Sequence, residues 1–254
     1  MATDEPVDLG TSFGAVAATY ERGRPPYPLT AVDWLLQGSA RRVVDLGAGT
    51  GKLTRLLRYR GIDVIAVEPA EGMRRQLAAS VPGVPILAGT AESIPLAPGS
   101  VDAVLVAQAW HWVDPARAVP EVIRVLRPGG WIGLVWNVRD ARVPWVAALD
   151  RILHRPGDRH AALGVPRLGP GFGPVERYEV EWVHQLPIGA LIDLAASRSH
   201  VIALPPDERA ALLDEVRELL TGKKDPTEDG EIPLPYVTWC YRARVRDSGD
   251  RRSS

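Results

Sequence analysis

Between residues 30 and 136 the chain alternates short apolar runs with amphipathic stretches. Five runs, Val43–Leu46, Ile62–Val67, Val84–Ala88, Val101–Ala107 and Trp131–Trp136, are rich in β-branched and other apolar residues. They read as strands buried on both faces. Amphipathic helices fill most of the gaps, and the clearest spans 115–127, with Ala116, Val119, Val122, Ile123 and Leu126 on one face. Asp114 stands at its N-cap and Pro115 in its first turn, and Arg127-Pro128-Gly129-Gly130 stops it. Strand–helix alternation at this spacing predicts a mostly parallel sheet covered on both sides.

After Asn137 the pattern changes. Residues 138–174 are rich in Pro, Gly and Arg, with one predicted helix at Val146–His154. Val175–Leu186 and Pro235–Val245 read as strands, and Ile188–His200 and Asp207–Leu220 as helices. The last is amphipathic through Ala211, Leu212, Val216 and Leu219. Lys223–Glu231 reads as a polar loop, Arg246–Ser254 as a disordered tail. The expectation is one α/β domain whose last two strands are interrupted by helical insertions.

Composition narrows the field. At 46% hydrophobic and 24% charged residues, the chain has the make-up of a globular protein. Thirty basic residues face 31 acidic ones, so no global field attracts nucleic acid or an anionic membrane. Cys240 is the single cysteine, which excludes an intrachain disulfide, a Cys-rich zinc site and a redox pair. His154, His160, His184 and His200 lack metal-ligand spacing, so no catalytic metal is expected. No apolar run reaches the roughly 18 residues of a membrane span, and residues 1–30 lack a secretory pattern. A soluble, cytoplasmic protein without membrane or nucleic-acid partners is expected, as a monomer or homodimer.

The chemistry concentrates in Val43-Val44-Asp45-Leu46-Gly47-Ala48-Gly49-Thr50-Gly51, a strand entering a glycine-rich turn, followed by a helix at Lys52–Arg60. A dinucleotide fingerprint needs a glycine where Lys52 stands. A phosphate-binding P-loop needs Ser or Thr after Gly51-Lys52, where Leu53 stands, and Gly in place of Leu46. Neither fits. The next strand ends at Glu68-Pro69, where an acidic side chain can accept both hydroxyls of a ribose. As a loop carboxylate, Glu68 is expected to contribute little to stability.

The D-x-G-x-G-x-G spacing, with Glu68 and then Gly89-Thr90-Ala91-Glu92-Ser93-Ile94-Pro95-Leu96 and Leu126-Arg127-Pro128-Gly129-Gly130-Trp131, resembles the class I S-adenosylmethionine (SAM) methyltransferases of the type-11 branch over residues 40–137. Phe13–Tyr20, Arg24-Pro25-Pro26-Tyr27-Pro28 and Gln108–Trp112 are similar to small-molecule members that include trans-aconitate methyltransferases. The resemblance implies a Rossmann-like, seven-stranded, mostly parallel sheet with helices on both faces and helical insertions before the last two strands. It implies SAM as cofactor and S-adenosylhomocysteine as product. The cofactor residues it implies are Asp45, Gly47, Ala48, Gly49, Gly51, Glu68, Pro69, Met73, Thr90, Ala91, Glu92, Ala107 and Gln108. Many family members carry Asp where this chain has Thr90. Residues 1–29 become a segment closing over the site. Residues 30–246 become the methyltransferase domain, with insertions at about 138–174 and 187–231, and 247–254 a tail.

Two decoys fail. Pro25-Pro26-Tyr27 follows Arg24 and precedes the glycine turn, whereas the motif that holds a nucleic-acid amine follows the fourth strand, where Gln108 stands. Cys240 lies within the last strand and reads as packing, not as the nucleophile of cytosine methylation. On the acceptor side, Arg24, Trp110 and Trp112 are candidate substrate-binding residues, and His111 and Tyr20 candidate catalytic ones. His111 either takes a proton from a hydroxyl nucleophile or bonds locally and shapes the pocket. The expected function is methyl transfer to a small-molecule acceptor, at a carboxylate or hydroxyl oxygen. The alternatives are a SAM-binding protein without transfer activity and, less favoured, a nucleic-acid methyltransferase.

Overall fold

A computed structural model describes residues 25–153, 164–222 and 231–246. Seven strands, β1 (Arg42–Leu46), β2 (Asp63–Val67), β3 (Ile86–Leu87), β4 (Val101–Ala107), β5 (Leu126–Arg139), β6 (Glu176–Pro187) and β7 (Glu231–Arg244), form one sheet in the order β3-β2-β1-β4-β5-β7-β6. Pairings from β3 through β5 are parallel; β7 runs antiparallel to both its neighbours. The chain winds outward from β1 to β3, then returns to place β4 on the other side of β1. That reversal opens a crevice at the carboxyl ends of β1 and β4, where open α/β sheets bind ligands.

The helices are α1 (Leu29–Leu36), α2 (Lys52–Tyr59), α3 (Glu71–Ser80), α4 (Pro115–Val125), α5 (Pro144–Leu153), α6 (Ile188–Ala196), α7 (Ser199–Ile202) and α8 (Pro206–Thr221). Period-2 alternation sorts the strand residues onto two faces. Val43, Val64, Leu105, Val135 and Cys240 meet Leu35 of α1 and Leu53 and Leu57 of α2. Val44, Val104, Ile132, Leu134 and Tyr241 meet Ala118, Val122 and Val125 of α4. The buried Cys240 thiol is pushed up to about 12 by burial, which suits packing. α1 is locked to the sheet from two sides. Trp131 Nε1 donates to the Leu35 carbonyl at 2.8 Å, and the Arg242 guanidinium lies 4.0 Å from the Trp34 ring centroid.

A third apolar cluster sits apart from the sheet's two cores. The β6–β7 ribbon continues past the end of β5: Arg139 pairs with Tyr236, whereas Glu231 to Pro235 pair with β6 alone. Leu186, Ile232, Leu234 and Tyr236 of this overhang pack against Val146, Leu149 and Leu153 of α5, Leu191 and Leu194 of α6, and Val216 and Leu220 of α8. Pro233 and Pro235 fall on the overhang, where a strand between two neighbours is not asked for their missing amides. That explains why β7 starts at Glu231, four residues before the expected Pro235 and within the expected 223–231 loop.

Other boundaries shift for local reasons. Asp114 caps α4 as expected, its Oδ1 accepting from Ala116 N at 3.0 Å, but the helix ends at Val125 because Leu126 pairs with Val101 in β5. The helix expected over 188–200 breaks at Ser197, whose Oγ donates to the Leu194 carbonyl at 2.9 Å. The third strand shrinks to Ile86–Leu87. Tyr20, Arg24, His154, His160, the closing segment up to residue 24 and the tail 247–254 lie outside the described residues, as does the His200 side chain.

The Gly/Pro-rich stretch after α5 is not all surface. Leu168 and Phe172 plug the α4 side of the core, and Phe172 bridges to Val245. With Phe172 only 2% exposed, Phe172→Ala is expected to cost about 3–5 kcal/mol through the cavity it leaves. Urea unfolding measures this, and a loss below about 1 kcal/mol would show that the segment is not part of the core.

Candidate active site

The turn after β1 can form because its glycines adopt left-handed backbone angles. At Gly47 (φ +71°) a Cβ would sit 3.0 Å from the Ala109 Cβ and fill the crevice between the ends of β1 and β4. At Gly51 (φ +91°) a Cβ would meet Leu77 Cγ of α3 at 2.9 Å. The first glycine therefore keeps the crevice open, and the second lets α3 pack behind the turn.

Beneath the turn, Asp45 is fully buried, and its Oδ2 accepts from Thr54 Oγ1 of α2 at 2.5 Å. Desolvation pushes this carboxyl from 3.8 to about 7, the Thr54 hydrogen bonds offsetting only part of the effect. Glu68, at the end of β2, is 7% exposed and spans two segments. Its Oε2 accepts from Gly49 N and its Oε1 from Ala70 N, both at 2.9 Å. Burial raises its pKa, opposed by those two amides and by Arg74. Arg74 in turn donates to the carbonyls of Glu68 (2.9 Å) and Pro69 (2.6 Å). The expectation that Glu68 carries little stability is thus corrected: two backbone amides depend on it.

The loop after β3 is held as firmly. Thr90 and Ser93 exchange backbone hydrogen bonds at 3.3 Å, and Glu92 accepts from the Thr90 side chain and from Asp114 N. Arg124 of α4 donates to the carbonyls of Ile94 and Leu96, and Glu121 accepts from Ile94 N. The Arg124 guanidinium holds the Glu121 carboxyl down at about 2. At the end of β4, Gln108 adopts φ +57°, uncommon for a residue with a side chain and frequent at functional sites.

These segments enclose a cavity of about 560 Å3, within the roughly 300–1,000 Å3 of small-molecule sites. Gly47, Gly49, Glu68, Pro69, Met73, Thr90, Ala91, Glu92, Ala107, Gln108 and Trp112 line it. Ala48 lines a smaller adjoining cavity with Pro25, Tyr27 and Lys52. Asp45 and Gly51 are on neither wall and support the turn from below. Each Glu68 oxygen keeps a second lone pair beyond the amide it accepts, so the carboxylate can still take two hydroxyls.

Around Trp110–Trp112, a single 3-10 turn, the side chains diverge. Trp110 is 5% exposed and belongs to the core, so it is not positioned as a substrate residue, whereas Trp112 is 64% exposed at the cavity. His111 is off the cavity wall: its Nδ1 accepts from Trp136 Nε1 at a long 3.4 Å, and its ring lies 4.9 Å from that of Trp112. An indole N–H only donates, so this bond needs the Nδ1 lone pair and puts the imidazole proton on Nε2. That arrangement suits shaping of the wall better than proton abstraction.

Asn137, at the carboxyl end of β5, was not singled out from sequence. Its Nδ2 donates to the Pro26 carbonyl (2.9 Å), its Oδ1 accepts from Thr238 Oγ1 (2.6 Å), and its backbone carbonyl accepts from Gln108 Nε2 (3.1 Å). The signal was a polar residue directly after an apolar strand, at the edge where ligands bind.

Residues 44–134 match a family model described as a methyltransferase domain. An uncharacterized methyltransferase of Mycobacterium tuberculosis is 55% identical over 238 residues, covering 94% of this chain and 97% of its own. A malonyl-[acyl-carrier protein] O-methyltransferase of Methylococcus capsulatus is 38% identical over 162 residues, 58% of each chain. A solved structure from Anaeromyxobacter dehalogenans, described as a candidate type II methyltransferase, aligns with TM-score 0.62 and 27% identity, covering 88% of this chain and 97% of its own. No helix among the described residues is long and apolar enough to cross a membrane.

Two stability outcomes follow from the buried carboxyls. Glu68→Ala leaves two amides without their acceptor and is expected to cost about 1–3 kcal/mol in urea unfolding; an unchanged midpoint would contradict the clamp. Asp45 holds its proton more tightly folded than unfolded, so its contribution is complete below 3.8 and is lost as pH rises toward 7. Asp45→Asn keeps an acceptor for Thr54 but has no charge to desolvate. Its melting temperature should therefore gain on the wild type's between pH 4 and 8, and parallel curves would refute the buried-acid account.

Proposed function

Because the chain belongs to the class I SAM-dependent methyltransferases, we propose that it methylates an oxygen atom of a small-molecule acceptor. The observation that carries this reading is the helical cap. α5, α6 and α8 pack on the β6–β7 overhang, above the carboxyl edge of the sheet on the side of β5. They occupy that side of the edge, next to a cavity of about 560 Å3, which supports an acceptor of small-molecule size. The O-methyltransferase name of the Methylococcus capsulatus relative supports oxygen as the accepting atom.

The residues present fit the donor. Glu68 takes the ribose hydroxyls on its remaining lone pairs, and Met73 packs on the adenine. Thr90, Ala91 and Glu92 meet the adenine edge, with Pro69 closing the same wall. Gly47, Ala48 and Gly49 present backbone to the methionine part, facing Ala107 and Gln108. When bound, the donor supplies a methyl group made electrophilic by its sulfonium. What remains for the protein is to align the acceptor oxygen in line with the S–CH3 bond and exclude water, an effect able to supply roughly 7–11 kcal/mol. His111 acts in this reading by holding Trp112 at the cavity mouth. Tyr20 and Arg24 are included on the acceptor side.

Calorimetry should detect SAM and S-adenosylhomocysteine but neither NAD nor ATP. Glu68→Ala should weaken SAM by about 1.5–3 kcal/mol, the scale of hydrogen bonds to a charged group; undiminished affinity would mean that the donor lies elsewhere. Methyl-labelled SAM offered with pooled acids, phenols and amines then tests the acceptor class. Label appearing only on amines would remove oxygen from the reading.

A further inference from the structure

A second group of chemistry-bearing side chains faces the same edge of the sheet, two and three strands beyond β4 at the cavity. Tyr236, Trp182 and His184 sit on the face of β7 and β6 that also carries Asn137 and Thr238. The Trp182 and Tyr236 rings stack at 5.3 Å and 22°, and the His184 ring leans on both, at 5.7 and 6.4 Å. Tyr236 is buried beneath the pair, while Trp182 and His184 are half-buried. This ledge is wired to the cavity wall. Trp182 Nε1 donates to Thr238 Oγ1 at 2.8 Å, Thr238 Oγ1 donates to Asn137 Oδ1, and Gln108 Nε2 donates to the Asn137 carbonyl. Lys52, the residue that directly follows Gly51, acts electrostatically on His184.

We propose that the Trp182–His184–Tyr236 ledge is the acceptor subsite, and that it takes a planar, hydroxyl-bearing molecule of the phenol class. This rests on the methyltransferase reading above and names its substrate side. The exposed part of Trp182 offers a flat apolar surface, and such surfaces prefer planar partners. Apart from the Lys52 ammonium near His184, the nearby cations are committed: Arg139 pairs with Asp150, and Arg142 with Asp140 and Glu181. The ledge is therefore mainly aromatic, which suits a ring whose hydroxyl the imidazole can accept from. His184 faces the Lys52 ammonium from α2 and the Tyr236 phenol from β7. Burial and then Lys52 lower its pKa, which keeps the imidazole neutral at physiological pH, with a lone pair to receive a proton. As the acceptor oxygen bonds the methyl carbon, the sulfur–carbon pair stays on sulfur, and the hydroxyl proton passes to His184 and on to solvent.

The test is binding, with 4-methylumbelliferone as a planar phenol and protein saturated with S-adenosylhomocysteine. Fluorescence anisotropy should rise saturably with the wild-type protein. His184→Asn and Trp182→Ala should each weaken the probe by at least about tenfold, the factor that 1.4 kcal/mol represents, with S-adenosylhomocysteine affinity retained in calorimetry. Benzoate and cyclohexanol should displace the probe poorly. Absence of probe binding, variants that bind it like wild type, or displacement by benzoate at lower concentration than by unlabelled phenol would each overturn the proposal. Circular dichroism checks folding; should Trp182→Ala not fold, the half-buried His184→Asn decides. Failure of S-adenosylhomocysteine itself to bind would instead strike the donor reading, so the two failures are distinguishable.

Discussion

The carboxylate of Glu68 joins the end of β2 to the middle of the glycine turn, and the ligand crevice takes its shape from that joint. A turn of left-handed glycines has little conformational preference of its own, because glycine gains freedom everywhere else. Here one carboxylate accepts from Gly49 N and Ala70 N and so fixes the turn against the start of α3. The cost is a charge buried to 7% exposure, which raises its pKa. The arrangement tolerates that cost because Arg74 and two amides stand opposite. With Asp45 buried below, two acids flank one glycine turn and each raises the other's cost of ionising. Such paired, perturbed carboxyls are commoner at functional sites than elsewhere.

The two halves of the site are built from different material. The donor half rests on β1, β2 and β4, short buried strands whose pairing is continuous with the main cores. The proposed acceptor half rests on a two-stranded overhang with its own apolar cluster. A lone ribbon of this kind is marginal in water. It persists because α5, α6 and α8 bury its inner face, with the Arg139–Asp150 ion pair fastening α5 to the end of β5. The donor half is continuous with the main cores of the sheet, whereas the cap packs on a cluster of its own.

What could be read from sequence follows from how local the chemistry is. The glycine turn and Glu68 lie at strand ends within short segments, so spacing singled them out, whereas the Thr90–Glu92 loop entered through the family resemblance. Residues 110–112 were harder. One 3-10 turn sends Trp110 into the core, Trp112 to the cavity and His111 toward Trp136, and no periodic pattern distinguishes the three. Asn137, Thr238, Trp182 and His184 were not legible as a group. Asn137 and Thr238 are 101 positions apart, and they meet only through the register of an antiparallel pairing. β7 itself was placed too late: the expected strand starts at Pro235, and Glu231–Leu234 belong to the overhang, where Pro233 is permissible.

Methyl transfer by proximity needs the acceptor held to within a fraction of an ångström of the line through sulfur and methyl carbon, since a displacement near 1 Å can cost about two orders of magnitude in rate. A cap on a separate apolar cluster would by itself be a loose holder. The run of hydrogen bonds from Trp182 through Thr238 and Asn137 to Gln108 removes that looseness: it passes through three strands and ends on a residue whose backbone is already held at φ +57°. The Asn137 side chain also fixes the Pro26 carbonyl, so one residue ties together the cap, the end of β4 and the chain leading into α1. Each bond is worth only about 1 kcal/mol in stability. Their value lies in geometry: they tie the β6–β7 side of the sheet, where the acceptor is proposed to sit, to the wall of the cavity.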